Sequence, residues 1–428
     1  MTNSPTATYE RLKTQLKGQL ADRLNLDASL SKGGAGNRET LKVEVQRMIQ
    51  VLVGESRGAA LTSDDQHRLA VDVIDEVLGL GPLDALLADL TITEIMVNGP
   101  HEIFIEREGI LERTDAQFRD AQHLMLVIER ILGPVGLAVN ESDPICDASL
   151  PDGTRLNIVI PPLVLNGPTV TIRRKLRDWN MQEFVDIEAL SEQAAEFLQA
   201  CVRAKVNLIV SGGTSTGKTT LVSILSTFIP QRERIITIEN VAELDLPKRQ
   251  HWIRLVARGP NVQGRGEVSL RALVKNALRM RPDRIILGEA RGGEALDVIQ
   301  AMHTGHDGLI TVLHGNSPKA ALERLETLML MSGLDLPPQA CRMQIASAVD
   351  LVVHMGRFAD GTRRMASVSQ VLGSADDTFQ LEDIFQFDVE GFTDENKLQG
   401  RLRYMDVTPK VLHKFQLNNV PVPTWMHA

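Results

Sequence analysis

Residues 206–225 have the sequence VNLIVSGGTSTGKTTLVSIL, in which an apolar run passes through a glycine-rich turn into an amphipathic segment. The turn matches GxxxxGK[ST], a motif whose backbone N–H groups surround phosphate oxygens. In this motif a buried strand precedes the turn and a helix follows it, with the positive end of the helix facing the anion. The stretch predicts a phosphate-binding P-loop in an α/β domain, and by itself it indicates no more than nucleotide binding.

The P-loop motif also assigns individual contacts. We expect Lys218 to reach the β- and γ-phosphates and the hydroxyl of Thr219 to bind Mg²⁺. The residues predicted to contact the nucleotide are Gly212, Gly213, Thr214, Ser215, Thr216, Gly217, Lys218, Thr219 and Thr220. ATP and Mg²⁺ are therefore the cofactors that the sequence predicts.

The composition is that of an ordinary globular protein with several domains. The chain has 428 residues, of which 43% are hydrophobic and 24% charged, and this length fits roughly three domains. Its three cysteines, Cys146, Cys201 and Cys341, are far apart and form no CxxC pair. This spacing argues against a disulfide framework and against a cysteine-rich zinc site.

Charge and hydropathy restrict the expected location and partners. The N-terminal stretch MTNSPTATYERLK is polar and no run of about 18 apolar residues occurs, so we expect a cytoplasmic protein without a transmembrane helix. The net charge is −9, and aromatic residues make up 4% of the chain. Both values oppose direct contact with nucleic acid, which needs cationic side chains for phosphates and aromatic side chains for stacking.

Turn signals and periodicity predict two parts before the P-loop domain. Residues 1–75 are expected to form a helical appendage, partly flexible around SKGGAGN, which packs on its own domain or docks on a partner. Its apolar positions at helical spacing are Leu41, Val45, Met48 and Leu52. Residues 76–177 alternate strand-like runs and turns around a helix at 121–132, which predicts a smaller α+β domain.

From residue 178 the pattern changes to short apolar runs separated by amphipathic helices. This alternation is typical of a parallel sheet with helices on both faces, so residues 178–428 are predicted to form an α/β domain. The predicted strands are residues 206–210, 235–238, 285–287, 309–313 and 351–353. After about residue 355 the pattern weakens, and we expect a small C-terminal subdomain.

Two acidic motifs accompany the P-loop. In IILGEARGG, Glu289 follows an apolar strand, where open α/β sheets bind ligands, and it is expected to orient Mg²⁺. Gly288 precedes it, so the usual form of this motif, a hydrophobic run followed by Asp, is absent. In ITIENVAEL, Glu239 and Glu243 are candidates for the carboxylate that polarises an attacking water. A solvated or helix-capping role is the alternative for both.

Three histidines lie in HTGHDGLITVLHGNS. His303, His306 and His314 do not share one helix face, and no acidic or thiolate side chain completes a ligand set, so no zinc site is predicted. We interpret His314, at the end of an apolar strand near the phosphates, as a polar sensor of the nucleotide.

Phosphoryl transfer also needs positive charge near the γ-phosphate. Arg155 and Arg173 are candidates, because the period-two pattern of their strands turns them away from the core. Arg254 and Arg258, in the connecting segment IRLVARG, are the other candidates. An ordinary solvated role is the alternative for each of the four.

Four motifs follow one another along the chain, namely GGTSTGKTT, ITIENVAEL, RMRPDRIILGEARGGEA and HTGHDGLITVLHGNSPKAALERLETL. Their order resembles the secretion ATPase superfamily of type II secretion, type IV pili and type IV secretion. The stretches ITEIMVNGP, LPDGTRLNIVIPP and GPTVTIRR are similar to the first domain of the Tad (Flp) pilus assembly ATPases of the CpaF/TadA type. The likeness covers roughly residues 75 to 355.

The resemblance implies an architecture and an activity. It implies a RecA-like ATPase domain preceded by a PAS-like α+β domain, in a homohexameric ring with ATP bound between the domains. The implied activity is ATP hydrolysis that powers assembly of a Tad/type IVb pilus through inner-membrane platform proteins, with retraction left open. The protein would associate peripherally with that membrane. A conjugation-type type IV secretion ATPase is the alternative.

The resemblance also implies roles for single residues. Glu239 and Glu243 would belong to an acidic Asp box, Glu289 to the Walker B motif and His314 to a His box. The arginines at positions 155 and 173 match those that close on the nucleotide from the first domain.

Three positions depart from the family pattern. Asn240 stands where Asp is usual, which removes one carboxylate and leaves Glu239 as the preferred base. His303 replaces a common Asn and Gly315 a common Ala, and we expect both changes to be tolerated. The zinc-binding tetracysteine module of some type II secretion members is absent from this sequence.

Three further classes compete with a motor. A RecA-like DNA translocase would contact DNA directly, which the net acidity and the scarcity of aromatic residues oppose. A small-molecule kinase would need an arginine-bearing lid and an acceptor site, and the sequence offers neither. A nucleotide switch without hydrolysis would be favoured only if Glu239→Gln left turnover unchanged. The direction of movement is not encoded in any motif.

Overall fold

The computed structural model describes residues 79–427, apart from 108, 151, 175–178, 247–250 and 260–264, together with Arg47 and Val51. Except for these two residues, the predicted appendage and its apolar stripe lie outside the described residues. The chain divides into two compact units, Met1–Leu176 and Arg177–Ala428. Among the described residues, no helix is both long and apolar enough to cross a bilayer.

In the described residues the first unit is an antiparallel sheet of six strands with a helix packed against it. Its elements are α1 (Leu83–Ala88), β1 (Ile92–Asn98), β2 (Ile103–Arg107), β3 (Ile110–Arg113), α2 (Ala121–Leu132), β4 (Ile145–Ser149), β5 (Arg155–Val159) and β6 (Thr169–Arg173). The strands lie in the order β3-β2-β1-β6-β5-β4. Helix α2 confirms the helix predicted at 121–132, and it begins where the Asp120 carboxylate accepts a hydrogen bond from the N–H of His123.

Alternate residues of β5 and β6 face the core beneath α2. The buried residues are Leu156, Ile158, Val170 and Ile172. Arg155 and Arg173 belong to the opposite face of the sheet, as the period of two predicts.

The second unit is built on a sheet of nine strands in the described part of the chain. Its elements are α3 (Met181–Asp186), α4 (Glu192–Arg203), β7 (Leu208–Gly212), α5 (Lys218–Ser226), β8 (Ile235–Glu239), β9 (Trp252–Val256), α6 (Leu270–Ala277), β10 (Arg284–Leu287), α7 (Glu294–His303), β11 (Ile310–His314), α8 (Pro318–Leu330), α9 (Pro338–Ala348), β12 (Leu351–Arg357), β13 (Arg363–Ala375), β14 (Thr378–Phe392), β15 (Leu398–Tyr404) and α10 (Leu412–Leu417). The strand order is β15-β14-β13-β12-β7-β11-β10-β8-β9.

The strands from β12 to β9 are parallel, and all five predicted strands are among them. Every residue of β7, β8 and β10 is buried, because helices cover both faces of the sheet. Helices α4 and α5 contribute to the core on one face, and α6 to α9 contribute to the core on the other.

The residues after 355, for which the sequence predicts a smaller subdomain, extend this same sheet. Strands β13, β14 and β15 add antiparallel to β12. Their core is shared with α4, since the ring of Phe197 lies 5.8 Å from that of Phe385 in β14 and 6.2 Å from that of Phe415 in α10. In the described part these residues are therefore an extension of the sheet that carries β7 and not a separate sheet.

Asn207, just before β7, ties the N-terminal ends of three parallel strands together. Its side-chain oxygen accepts from the N–H groups of Gly308 (2.9 Å) and Leu309 (3.1 Å), which precede β11. Its side-chain amide donates to the carbonyl of Ala348 (2.9 Å), and its backbone N–H donates to the carboxylate of Asp350 (2.7 Å), both just before β12. We call this arrangement the Asn207 clamp.

We expect Asn207→Ala to lower the free energy of unfolding by about 3–5 kcal/mol, because each buried polar group left without a partner costs about 1–3 kcal/mol. The measurement is urea unfolding followed by tryptophan fluorescence, since Trp179, Trp252 and Trp425, the three tryptophans of the chain, lie in the second unit. The matched control is Asn276→Ala on an exposed position of α6, which should change stability by less than about 0.5 kcal/mol. If both substitutions lowered the free energy of unfolding equally, the Asn207 clamp would not contribute to stability as described.

Candidate nucleotide-binding site

The P-loop connects the end of β7 to the first residue of α5. Its turn depends on positive φ angles at Gly212 (148°), Ser215 (57°) and Gly217 (90°). Gly217 is the residue before α5, so a left-handed glycine starts the helix directly at Lys218. The first N–H groups of the helix thus lie at the loop, the arrangement that accommodates an anion.

The lysine of the loop is held in place by the loop itself. Lys218 is buried, and its ammonium group donates a hydrogen bond to the carbonyl of Gly213. The hydroxyl of Thr216 donates to the same carbonyl at 3.0 Å. Thr219 and Thr220 follow in the first turn of α5 and are half-buried. The residues predicted to contact nucleotide therefore form one continuous loop and helix start.

Glu239, the last residue of β8, is a buried carboxylate. Its Oε1 accepts hydrogen bonds from the backbone N–H groups of Glu243 (2.9 Å) and Leu244 (2.8 Å). Its Oε2 is buried and has no hydrogen-bond partner among the residues that the structure describes. Burial raises the pKa of Glu239, and the two backbone hydrogen bonds oppose that rise. A buried carboxylate with one unpaired oxygen fits a residue that accepts a proton from a bound water.

The structure distinguishes Glu239 from Glu243, which sequence reasoning left as alternatives for the base. The backbone N–H of Glu243 holds the Glu239 carboxylate, and the Glu243 side chain is half-exposed. Arg254 supports the same loop, since its guanidinium donates to the carbonyl of Leu244 at 3.0 Å and lies 4.8 Å from the ring of Trp252. Arg258, the other candidate arginine in this unit, donates a hydrogen bond to the carbonyl of Gly266.

Gly288, the departure from the usual Walker B form, makes room for Glu239. A Cβ on Gly288 would lie 2.8 Å from the Cγ of Glu239, closer than real contacts of this kind. The neighbouring strands β8 and β10 are paired in register, so the end of one strand faces the end of the other. Glycine at position 288 is thus part of the same site as Glu239.

Glu289 is held by two side chains. Its Oε1 lies 3.0 Å from Nε2 of His314 at the end of β11, and its Oε2 lies 2.7 Å from the guanidinium of Arg291. Burial and the nearby charge of Lys218 lower the pKa of His314, and Glu289 opposes that change. Each carboxylate oxygen has a second lone pair, so Glu289 can still accept a hydrogen bond from water bound to Mg²⁺.

The first unit brings the other two predicted arginines together. Arg155 of β5 and Arg173 of β6 are direct neighbours in the antiparallel register, and Glu94 of β1 is the neighbour of Arg173 on its other side. The guanidinium of Arg173 lies 3.4 Å from the carboxylate of Glu94. Two like charges directly opposite each other destabilise a sheet, and such a pair is favourable when an anion binds to it.

Sequence reasoning missed three side chains near the P-loop. Arg291 contacts Glu289, and Glu294 accepts from the N–H groups of Arg291 (2.6 Å) and Gly292 (2.8 Å), which fixes the loop after β10. His354 of β12 lies buried beside the P-loop strand. A signal for His354 was present, because it directly follows an apolar run predicted as a parallel strand.

We expect Gly288→Ala to destabilise the protein by about 1–3 kcal/mol, the usual cost of overpacking. In a Glu239→Ala background the same substitution should cost less than about 0.5 kcal/mol, because the atom that it meets is gone. The control is Gly259→Ala, where a Cβ would meet no atom within 4 Å. Urea unfolding of the four variants measures this coupling, and equal costs in both backgrounds would show that Gly288 and Glu239 are independent.

Comparison with known proteins gives the family. A model of the family described as "Type II/IV secretion system protein" matches residues 76–408. The "Putative conjugal transfer protein MT3759" of Mycobacterium tuberculosis (strain CDC 1551 / Oshkosh) is 33% identical over 327 residues, which are 75% of this chain and 92% of that protein. The "Type IV secretion system protein VirB11" of Brucella suis biovar 1 is 35% identical over 316 residues, which are 67% of this chain and 88% of that protein.

A solved structure supports the fold. The crystal structure of the "Pilus Retraction Motor PilT and Bound ADP" is 17% identical, with a TM-score of 0.50, over 69% of this chain and 83% of that chain. At this identity the likeness concerns the fold alone, and it agrees with a RecA-like sheet that carries the P-loop. The chain belongs to the type II/IV secretion system protein family, a family of secretion ATPases.

Proposed function

We propose that this chain is an ATP-hydrolysing motor that powers assembly of a Tad/type IVb pilus through inner-membrane platform proteins. The observation that carries the hydrolytic part is the buried Glu239, which lies in the same unit as the P-loop and whose Oε2 has no partner in the described part of the chain. A nucleotide-binding protein without hydrolysis has no need of a desolvated carboxylate with an unpaired oxygen. Retraction by the same motor is left open.

Residues 212–220 would hold the phosphates of ATP, with Lys218 at the β- and γ-phosphates. Thr219 and Glu289 would hold Mg²⁺, Thr219 through its hydroxyl and Glu289 through metal-bound water. When bound, Mg²⁺ neutralises negative charge on the phosphates. These groups fit because the loop has the glycine conformations that a phosphate site requires and the Glu289 carboxylate keeps lone pairs available.

Glu239 would orient the attacking water and accept its proton. Its raised pKa makes it a stronger base than an ordinary carboxylate, and the N–H groups of Glu243 and Leu244 keep it in one orientation. His314, the last residue of β11, contacts Glu289, and this contact would change with the state of the bound nucleotide. Arg155 and Arg173 would stabilise charge that develops on the γ-phosphate.

The choice of machine rests on the motifs of the first domain and of the Walker B region. The stretches ITEIMVNGP, LPDGTRLNIVIPP, GPTVTIRR and NALRMRPDRIILGEARGGEA resemble those of the Tad branch. By the same resemblance we infer a homohexamer at the cytoplasmic face of the inner membrane. The second candidate is a conjugation-type type IV secretion ATPase, which the names of the relatives from Mycobacterium tuberculosis and Brucella suis favour.

Purified protein is expected to release phosphate from ATP only with Mg²⁺. Lys218→Ala should lower kcat/KM by at least about 100-fold, and Glu239→Gln should lower kcat by about 10²–10⁴-fold, the range of a lost general base, with nucleotide affinity retained. The control is Lys397→Ala, at an exposed ion pair with Glu395 in the turn before β15. Phosphate release by Glu239→Gln at the rate of the unaltered protein would refute Glu239 as the base, whereas no phosphate release by either protein would favour a switch.

Deletion of the gene in the source organism is expected to remove surface pili. The unaltered gene should restore them and Lys218→Ala should not, because filament assembly would lose its energy source. Transfer of DNA to recipient cells, measured in the same strains, should be unchanged. Normal pili together with lost DNA transfer would instead establish the type IV secretion alternative.

A further inference from the structure

Strand β12 lies beside β7 at the base of the P-loop. The two strands are parallel and in register, so that His354 is opposite Ser211 and Met355 is opposite Gly212. On the other side of β7, His314 of β11 is opposite Gly212. The entry of the P-loop is therefore enclosed between β11 and β12.

Ser211 and His354 form a hydrogen bond beneath the loop. The Oγ of Ser211 lies 2.9 Å from Nδ1 of His354, and both residues are buried. The same hydroxyl is 3.4 Å from the carbonyl of Val353. Burial and the charge of Lys218 lower the pKa of His354, which agrees with a neutral ring beside the lysine of the loop. The proposed catalytic steps use neither Ser211 nor His354.

The next pair of residues constrains the loop through the backbone. Gly212 has a φ of 148°, and a Cβ on it would overlap the carbonyl oxygen of Met355 and lie 2.8 Å from the hydroxyl of Thr216. The Cε of Met355 lies 4.0 Å from the position of a Cβ on Gly217, at the far end of the loop. Met355 of β12 thus leaves no room for a side chain at Gly212 and lies within van der Waals distance of one at Gly217.

The ladder on the far side of β12 is irregular at the same place. His354 pairs with Ser367 of β13 and Met355 pairs with Met365, so Ala366 is an extra residue in β13. Bulges of this kind redirect side chains and are common next to functional sites. The antiparallel extension thus departs from regular pairing at the two residues that contact the loop.

We propose that His354 is a positioning residue for the phosphate loop, which fixes Ser211 by a hydrogen bond and, with the adjoining Met355 carbonyl, the entry of the loop at Gly212. Strand β12 then couples the loop to the extension formed by β13, β14 and β15. The inference rests on the proposed binding of nucleotide phosphates by this loop.

The test measures the Kd of fluorescent mant-ADP with Mg²⁺, at a temperature well below the melting point of each variant. His354→Leu and Ser211→Ala are each expected to raise Kd about 3- to 10-fold, the factor of one buried hydrogen bond. The double variant should be no weaker than His354→Leu alone, because the two groups act as one unit. His354→Gln, which keeps a donor and an acceptor, should restore Kd to within about threefold of the unaltered protein.

The control is His413→Leu on α10. Among the described contacts, the exposed ring of His413 hydrogen-bonds only to the carbonyl of Lys410. The Kd of this variant for mant-ADP should be unchanged. A merely structural histidine would lower the melting temperature and leave the Kd of the folded protein unaltered, and that result would overturn the proposal. Additive effects in the double variant would also overturn it. If His354→Leu fails to fold, the Kd of Ser211→Ala alone tests the proposal. Removal of one hydroxyl changes the volume of the side chain little, so this variant should fold.

The same titrations separate this inference from the proposed function. If the unaltered protein fails to bind mant-ADP, the proposed function fails and the inference fails with it. If the unaltered protein binds, Lys218→Ala does not, and both His354→Leu and Ser211→Ala bind normally, only the inference is refuted.

Discussion

The candidate nucleotide-binding site depends on the register of three parallel strands, and the Asn207 clamp fixes that register at their starts. The side chain of Asn207 accepts from two N–H groups just before β11 and donates to a carbonyl just before β12, the two neighbours of β7. Because parallel strands run side by side from that point, their ends arrive together five or so residues later, at about 3.3 Å per residue. Gly212, His314 and Met355 are consequently adjacent. The hydrogen bonds of Asn207 at the N-terminal ends of these strands thus determine which residues are adjacent at the C-terminal ends.

The residues at the C-terminal ends of the parallel strands lower the stability of the folded protein. Glu239 is a buried carboxylate that has two backbone N–H partners for one oxygen and none for the other. An apolar residue at this position would avoid the desolvation of a charge. The pairing of Gly288 with Glu239 shows the same compromise, since a strand end without a side chain packs less surface but leaves the carboxylate its space. The ends of β8 and β10 are therefore packed less favourably than a regular core, because the Glu239 carboxylate occupies the space.

Much of this fold could be predicted from the sequence, because it follows from short-range patterns. The P-loop motif, the apolar runs and the alternation around Arg155 and Arg173 each depend on neighbouring residues only, and each was found where predicted. The pairing of β13 to β15 with β12 could not be predicted, since the buried part of β13 includes polar residues and β14 and β15 are largely exposed or half-buried. These strands lack the dense apolar signal of the buried parallel strands. A weak pattern after residue 355 therefore suggested a small C-terminal subdomain.

The contacts of the site were harder to predict for a related reason. The strand order β7-β11-β10-β8 differs from the order along the chain, so the partners of a strand-end residue cannot be read from spacing. Gly288 was noticed only as a departure from a motif, whereas its meaning lies in a side chain 49 positions earlier, Glu239. Arg291 and His354 were overlooked because an arginine in a loop and a histidine at a strand end are common in sites and in ordinary surfaces alike.

Strand β13 contains one extra residue, Ala366, where it pairs with β12. In a regular strand Met365 and Ser367 would share one face, whereas their partners Met355 and His354 belong to opposite faces. The bulge at Ala366 reconciles the two strands, so deletion of this residue would leave a regular ladder with both pairs in register. Deletion at a regular part of β13 would instead shift the residues beyond it by one position and exchange their faces. In the lineage of this protein, the number of residues in β13 should therefore vary at the bulge more readily than elsewhere in the strand.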